Sequence, residues 1–65
     1  MEKLNGKIKE ARLALGLSQL NLAKAVCVTR QTIGLIEAGK YNPSLKLCTA
    51  ICKTLNKTLD DLFWD

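Results

Sequence analysis

Twenty residues, Ser18-Gln19-Leu20-Asn21-Leu22-Ala23-Lys24-Ala25-Val26-Cys27-Val28-Thr29-Arg30-Gln31-Thr32-Ile33-Gly34-Leu35-Ile36-Glu37, decide how this chain folds. Ser18 and Thr29 are both good N-cap residues, because their hydroxyls accept a hydrogen bond from an unpaired first-turn N–H. Each precedes a short run with helical apolar spacing: Leu22, Ala23 and Val26 after the first cap, Ile33 and Ile36 after the second. The pattern predicts helices over Gln19–Val26 and Arg30–Ala38, with Cys27-Val28 in the break and Gly39 at the end. Asn21 stands where a full capping box would want Glu or Gln, so the Ser18 cap is expected to be half formed.

Working outward, Leu4, Ile8, Ala11 and Leu15 recur at helical spacing and predict a first helix that Gly16 stops. On the other side, Lys40-Tyr41-Asn42-Pro43 reads as a loop, since proline disfavours helix at Asn42. Ser44 caps a fourth helix with the stripe Leu47, Cys48, Ile51, Cys52, Leu55, broken by Asn56-Lys57. Thr58 with Asp61 is a capping-box-like start for a last helix over 59–63. Asp60 and Asp61 then lie in a first turn, where the helix dipole favours carboxylates, and Lys53 and Lys57 lie near a helix end that favours cations. The expectation is an all-α bundle of five short helices, residues 1–65 forming one domain without internal repeat or linker.

Composition agrees. A chain of 65 residues is near the lower limit for a core without staples, and 48% hydrophobic residues are enough to pack one. Twelve leucines against three aromatics and one proline favour helix over sheet. No apolar run approaches the roughly 20 residues of a membrane span. The N-terminus lacks the charged-then-apolar layout of a signal peptide, so a cytoplasmic chain is expected.

The net charge of +4 is unevenly placed. Residues 1–57 hold all ten bases and only Glu2, Glu10 and Glu37, a net of +7; residues 58–65 hold three aspartates and no base. A basic body suits a polyanionic partner, nucleic acid or an acidic membrane surface, although solubility alone would also account for it.

Several chemistries are excluded. Cys27, Cys48 and Cys52 are an odd number with no C-x-x-C, and there is no histidine. Neither a zinc site nor a disulfide framework fits, and the usual acid–base machinery is missing. No enzyme, metal or cofactor is expected.

Two short capped helices around a tight turn, with Val28, Ile33 and Ile36 folding back onto Leu22, Ala23 and Val26, have the geometry of a helix-turn-helix at about 18–37. The outer side of the second helix offers Arg30, Gln31, Gly34, Leu35 and Ala38. That face is too poor in charge for a solvated helix and suits a partner surface. Arg and Gln can bond guanine and adenine edges bidentately, and an apolar side chain can pack on a thymine methyl. Arg12 and Glu37 each fall close to a buried side, where a lone charge is costly; they are expected to pair and fix the first helix against the third.

Arg12, Gly16-Leu17-Ser18-Gln19, Leu22-Ala23, Val28-Thr29-Arg30-Gln31-Thr32-Ile33, Ile36-Glu37 and Gly39-Lys40-Tyr41-Asn42-Pro43-Ser44 together resemble the phage-repressor/Cro-type (Xre) helix-turn-helix family. The match runs from about Leu4 to Trp64 without gaps. The resemblance implies a five-helix lambda-repressor-like domain that binds double-stranded DNA as a homodimer at a palindromic operator and regulates transcription, as a repressor. It implies that Gln19 holds a phosphate, that Arg30 and Gln31 lead the base reading with Thr32, Gly34 and Leu35 beside the groove, and that Lys40, Tyr41 and Asn42 grip the backbone. Arg12 and Glu37 match the family's internal ion pair. With one domain and no second, neither a small-molecule effector site nor a small-molecule substrate is expected.

Three positions depart from the family pattern. Cys27 stands where glycine is usual, which would place a non-glycine in a left-handed conformation at about 1 kcal/mol. Gly34 interrupts the reading helix, either to let the backbone approach DNA or at the loss of a base contact. Leu35 replaces a polar contact. Cys48 and Cys52 read as buried structural thiols and Cys27 as the candidate redox sensor. Leu62, Phe63 and Trp64 either close the core or supply a dimer interface. The alternative function is an antitoxin-like module that neutralises a partner protein.

Overall fold

The computed structural model describes residues 2–63, with side chains from residue 6 onward. Five helices follow in order: α1 (Glu2–Ala14), α2 (Gln19–Ala25), α3 (Arg30–Glu37), α4 (Leu45–Leu55) and α5 (Leu59–Phe63). Among the described residues there is no strand. The all-α, five-helix expectation holds, with α2 and α3 each ending one residue earlier than the spacing suggested.

The helices start where hydroxyl caps stand. Ser18 Oγ accepts from Asn21 N–H at 2.9 Å, Thr29 Oγ1 from Thr32 N–H at 3.2 Å and Ser44 Oγ from Leu47 N–H at 3.1 Å. The half cap expected at Ser18 is in fact complete: Asn21 Oδ1 accepts the Ser18 N–H at 3.2 Å. An asparagine carbonyl reaches back as a Glu or Gln would, because the chain entering the helix lies close enough for the shorter side chain. At α5, Thr58 N–H donates to Asp61 Oδ2 at 3.0 Å and Asp61 N–H to Thr58 Oγ1 at 3.1 Å, the reciprocal box that the spacing predicts.

The first four helices end in one way. After α1, Leu17 N–H donates to the Arg12 carbonyl and Gly16 N–H to that of Leu13. The same 6→1 and 5→2 pair recurs with Val28 and Cys27 after α2, Lys40 and Gly39 after α3, and Lys57 and Asn56 after α4. This is the Schellman arrangement, which requires a left-handed residue at its corner. The corners are Gly16 (φ 71°), Cys27 (φ 63°), Gly39 (φ 74°) and Asn56 (φ 59°). Cys27 therefore does adopt the conformation expected of the glycine it replaces.

The helix contacts close a ring, α1–α3–α2–α4–α5–α1. Inside it lie Ile8, Ala11, Leu22, Ala23, Val26, Ile33, Ile36, Ile51, Cys52, Leu55 and Leu62, with Leu17, Val28, Leu47, Ala50, Leu59 and Phe63 packed around them. One expectation is corrected here. Leu15 is 51% exposed, because α1 ends at Ala14 and the Schellman turn carries Leu15 off the apolar face. Of the two roles open to Leu62, closing the core is the one seen: it is 2% exposed and packed among the core residues. Phe63 is half-buried, while Trp64 and the side chain of Leu4 lie outside the described residues. Of the thiols, Cys52 is buried as expected, but Cys48 is only half-buried, its S–H directed to the Pro43 carbonyl at 3.8 Å. Among the described residues no helix is long and apolar enough to cross a membrane, and no cluster of three metal-ligating side chains occurs.

Candidate nucleic-acid interface

The site is built on α3 and the loop that follows. Ile33 and Ile36 anchor one side of the helix in the core, at 1% and 3% exposure, and their spacing turns Arg30, Gln31 and Leu35 outward. Thr32 and Gly34 are half-buried between the two sides. Gly39 ends the helix in a left-handed turn, and Lys40, Tyr41 and Asn42 follow it, all exposed. Of the eight residues on α3 and its loop expected to meet DNA, six are exposed and two, Thr32 and Gly34, are half-buried.

Gln19, the fourth residue expected to grip the backbone, is engaged within the chain. It is the first residue of α2, as Arg30 is the first of α3, and their side chains meet. Arg30 Nη1 donates to Gln19 Oε1 at 3.2 Å, and Gln19 Nε2 donates to Glu37 Oε1 at 3.1 Å. The sequence held a signal for this link, since both residues directly follow helix caps. It was not used.

Beneath the surface lies the expected ion pair. Arg12 Nε donates to Glu37 Oε2 at 2.7 Å and Nη2 to Oε1 at 3.2 Å, a two-point contact that suits the planar guanidinium. The side chains keep only 7% and 6% exposure. The third donor, Nη1, reaches the Leu17 carbonyl at 2.8 Å. Among the described residues no buried side-chain N or O atom lacks a partner, which is the condition for holding a guanidinium in a core at tolerable cost.

This pairing has an electrostatic consequence for the surface above. Glu37 is the one acid between Ser18 and Ser44, against Lys24, Arg30 and Lys40. Turned inward and neutralised by Arg12, it leaves an outer face with cations and amides but no carboxylate. A face of that composition is electrostatically compatible with a polyanion, and its side chains are of types that can bond base edges.

Gly34 faces Gln19. A methyl group added there would meet Gln19 Oε1 at 3.8 Å and Nε2 at 3.9 Å, which is ordinary contact. Packing within the chain therefore does not demand a glycine at this position. Exposed apolar side chains that the sequence reading passed over include Leu20 and, at the start of α4, Leu45, which is 70% exposed.

Comparison with known proteins agrees with this geometry. A family model described as helix-turn-helix matches residues 8–62. The chain is 46% identical over 61 residues to YgzD of Bacillus subtilis, an uncharacterised HTH-type transcriptional regulator, covering 94% of this chain and 92% of that one. It is 47% identical over 57 residues to an uncharacterised HTH-type transcriptional regulator of Archaeoglobus fulgidus (88% and 81% covered). A third relative so named, from Methanocaldococcus jannaschii, is 45% identical over 60 residues (92% and 91% covered). The chain belongs to the helix-turn-helix family of the phage-repressor/Cro (Xre) type.

Proposed function

We propose that this protein is a transcriptional regulator that binds double-stranded DNA sequence-specifically through the face of α3, as a homodimer on a palindromic operator, and acts as a repressor. The observation that carries the reading is the outer side of α3 and its loop: Arg30, Gln31, Leu35, Lys40, Tyr41 and Asn42 are exposed, and Glu37, the one acid between Ser18 and Ser44, is turned inward. Arg30 and Gln31 would lead the base contacts, with Thr32, Gly34 and Leu35 against the groove wall. Lys40, Tyr41 and Asn42 would hold the phosphates, aided at the start of α2 by Gln19. The names of the relatives support regulation of transcription as the purpose of binding.

Selection of duplexes from a random pool, followed by affinity against salt, tests the proposal. A dimer with about 6–10 phosphate contacts should lose roughly 10³–10⁵ in affinity between about 50 and 200 mM salt. The selected site should contain two half-sites about one helical turn apart, and sedimentation of the complex should show two chains per duplex. Gln31→Ala should relax base choice at one position per half-site, at about 1–3 kcal/mol, whereas Lys40→Ala should weaken all sequences alike. Absence of binding to any duplex at low salt would refute the reading.

A further inference from the structure

The contacts around Gln19 form a chain from the core to the surface. Glu37 Oε1 takes both Arg12 Nη2 and Gln19 Nε2, and Gln19 Oε1 takes Arg30 Nη1. The direction of the amide is dictated by its neighbours. A carboxylate only accepts, a guanidinium only donates, and a primary amide joins them in one orientation, N–H toward Glu37 and carbonyl toward Arg30. The flipped amide would set oxygen against carboxylate and N–H against guanidinium, losing both bonds. Glu37 in turn is held by Arg12, which the Leu17 carbonyl fixes from the far side.

An exposed arginine ordinarily has many rotamers to choose from, and ordering them opposes binding. Here the guanidinium leans on a fixed acceptor. We propose that Glu37 is a positioning residue for Arg30, acting through Gln19, so that the buried ion pair sets where the leading base-reading guanidinium points. This rests on the reading of α3 as the DNA-reading helix. It makes base preference opposite Arg30 depend on residues 19 and 37 without either of them touching a base. The Gln19 amide nitrogen carries a second hydrogen, so a phosphate contact and the link to Glu37 are compatible.

Gln19→Met tests the link, since it keeps the chain length, removes both polar ends and leaves the core intact. In the free protein, the Arg30 Nε–Hε signal and the rotation of its guanidinium are read by NMR. Gln19→Met is expected to move that signal and speed the rotation. Replacing the pair together, Arg12→Gln with Glu37→Gln so that no buried charge is orphaned, should move it in the parent but not in the Gln19→Met background. In the duplex selection, preference at the position facing Arg30 should fall about fivefold or more in Gln19→Met, while Lys40→Ala leaves it unchanged. An Arg30 signal indifferent to Gln19→Met overturns the proposal, as does unchanged preference when the parent selects a defined site. A parent that selects no duplex removes the specificity role together with the DNA-binding reading. The NMR result then stands as a report on the contact alone, so the two failures are told apart.

Discussion

Arg12 Nε and Glu37 Oε2 lie 2.7 Å apart across twenty-five residues of sequence, and this contact clamps α1 to α3. Removing one partner leaves the other charged and buried. Arg12→Met or Glu37→Gln should each cost about 3–5 kcal/mol, a large share of the stability of so small a domain. Arg12→Met combined with Glu37→Leu should recover most of that loss, because no charge is stranded. Urea unfolding of the three variants checks the order, and a double variant as weak as the singles would contradict it.

Gly34 gives a prediction of opposite sign. The added methyl of Gly34→Ala reaches Gln19 at ordinary contact distance, and alanine is the better helix former. The variant should be more stable by about 0.5–1 kcal/mol in thermal or urea unfolding. Duplex affinity then separates the two explanations for the glycine. A sharp drop means that DNA approaches the backbone there, whereas an unchanged value means that a base contact has simply been given up.

Asp61 makes stability sensitive to acid. The Thr58 N–H, then the Thr58 hydroxyl, hold its carboxyl below the ordinary value of 3.8, helped by the charges of Lys57 and Lys7. A carboxyl whose pKa is lower folded than unfolded adds stability above the unfolded value of about 4, and that stability is lost as pH falls through the folded value. Asp61→Asn should therefore be less stable near neutrality and show a shallower acid limb below about pH 4. Unfolding midpoints across that range test the sign.

The three thiols should separate by reactivity. Burial pushes both Cys48 and Cys52 up from the ordinary thiol value, which lowers the thiolate fraction that attacks a reagent. Cys27 is exposed at its turn. A thiol reagent should label Cys27 within the native state, Cys48 more slowly, and Cys52, at 4% exposure, only as fast as the domain opens. Mass spectrometry of the partly labelled protein gives the order, and early labelling at Cys52 would refute it.

Local chemistry made most of the fold legible. Ser18, Thr29, Ser44 and Thr58 announce helix starts because a cap is satisfied within its own first turn, and Gly16 and Gly39 announce ends because the corner they occupy is left-handed. The strained Cys27 could be anticipated in the same way, from alignment with a glycine corner. Side-chain reach was less legible: whether Asn21 closes its cap depends on how the chain enters the helix. Leu15 shows the limit of periodicity, since spacing counts residues but does not know where the helix stops. Leu62 shows the limit of composition, because an apolar tail reads the same whether it closes a core or covers a partner. The Arg12–Glu37 pair was inferred from two charges on buried sides, each needing the other. Their two-point geometry, and the line from Glu37 through Gln19 to Arg30, were decided only when the ring of helices closed. Hydrogen bonds between distant residues depend on distances of a few tenths of an ångström, which packing sets and sequence spacing does not.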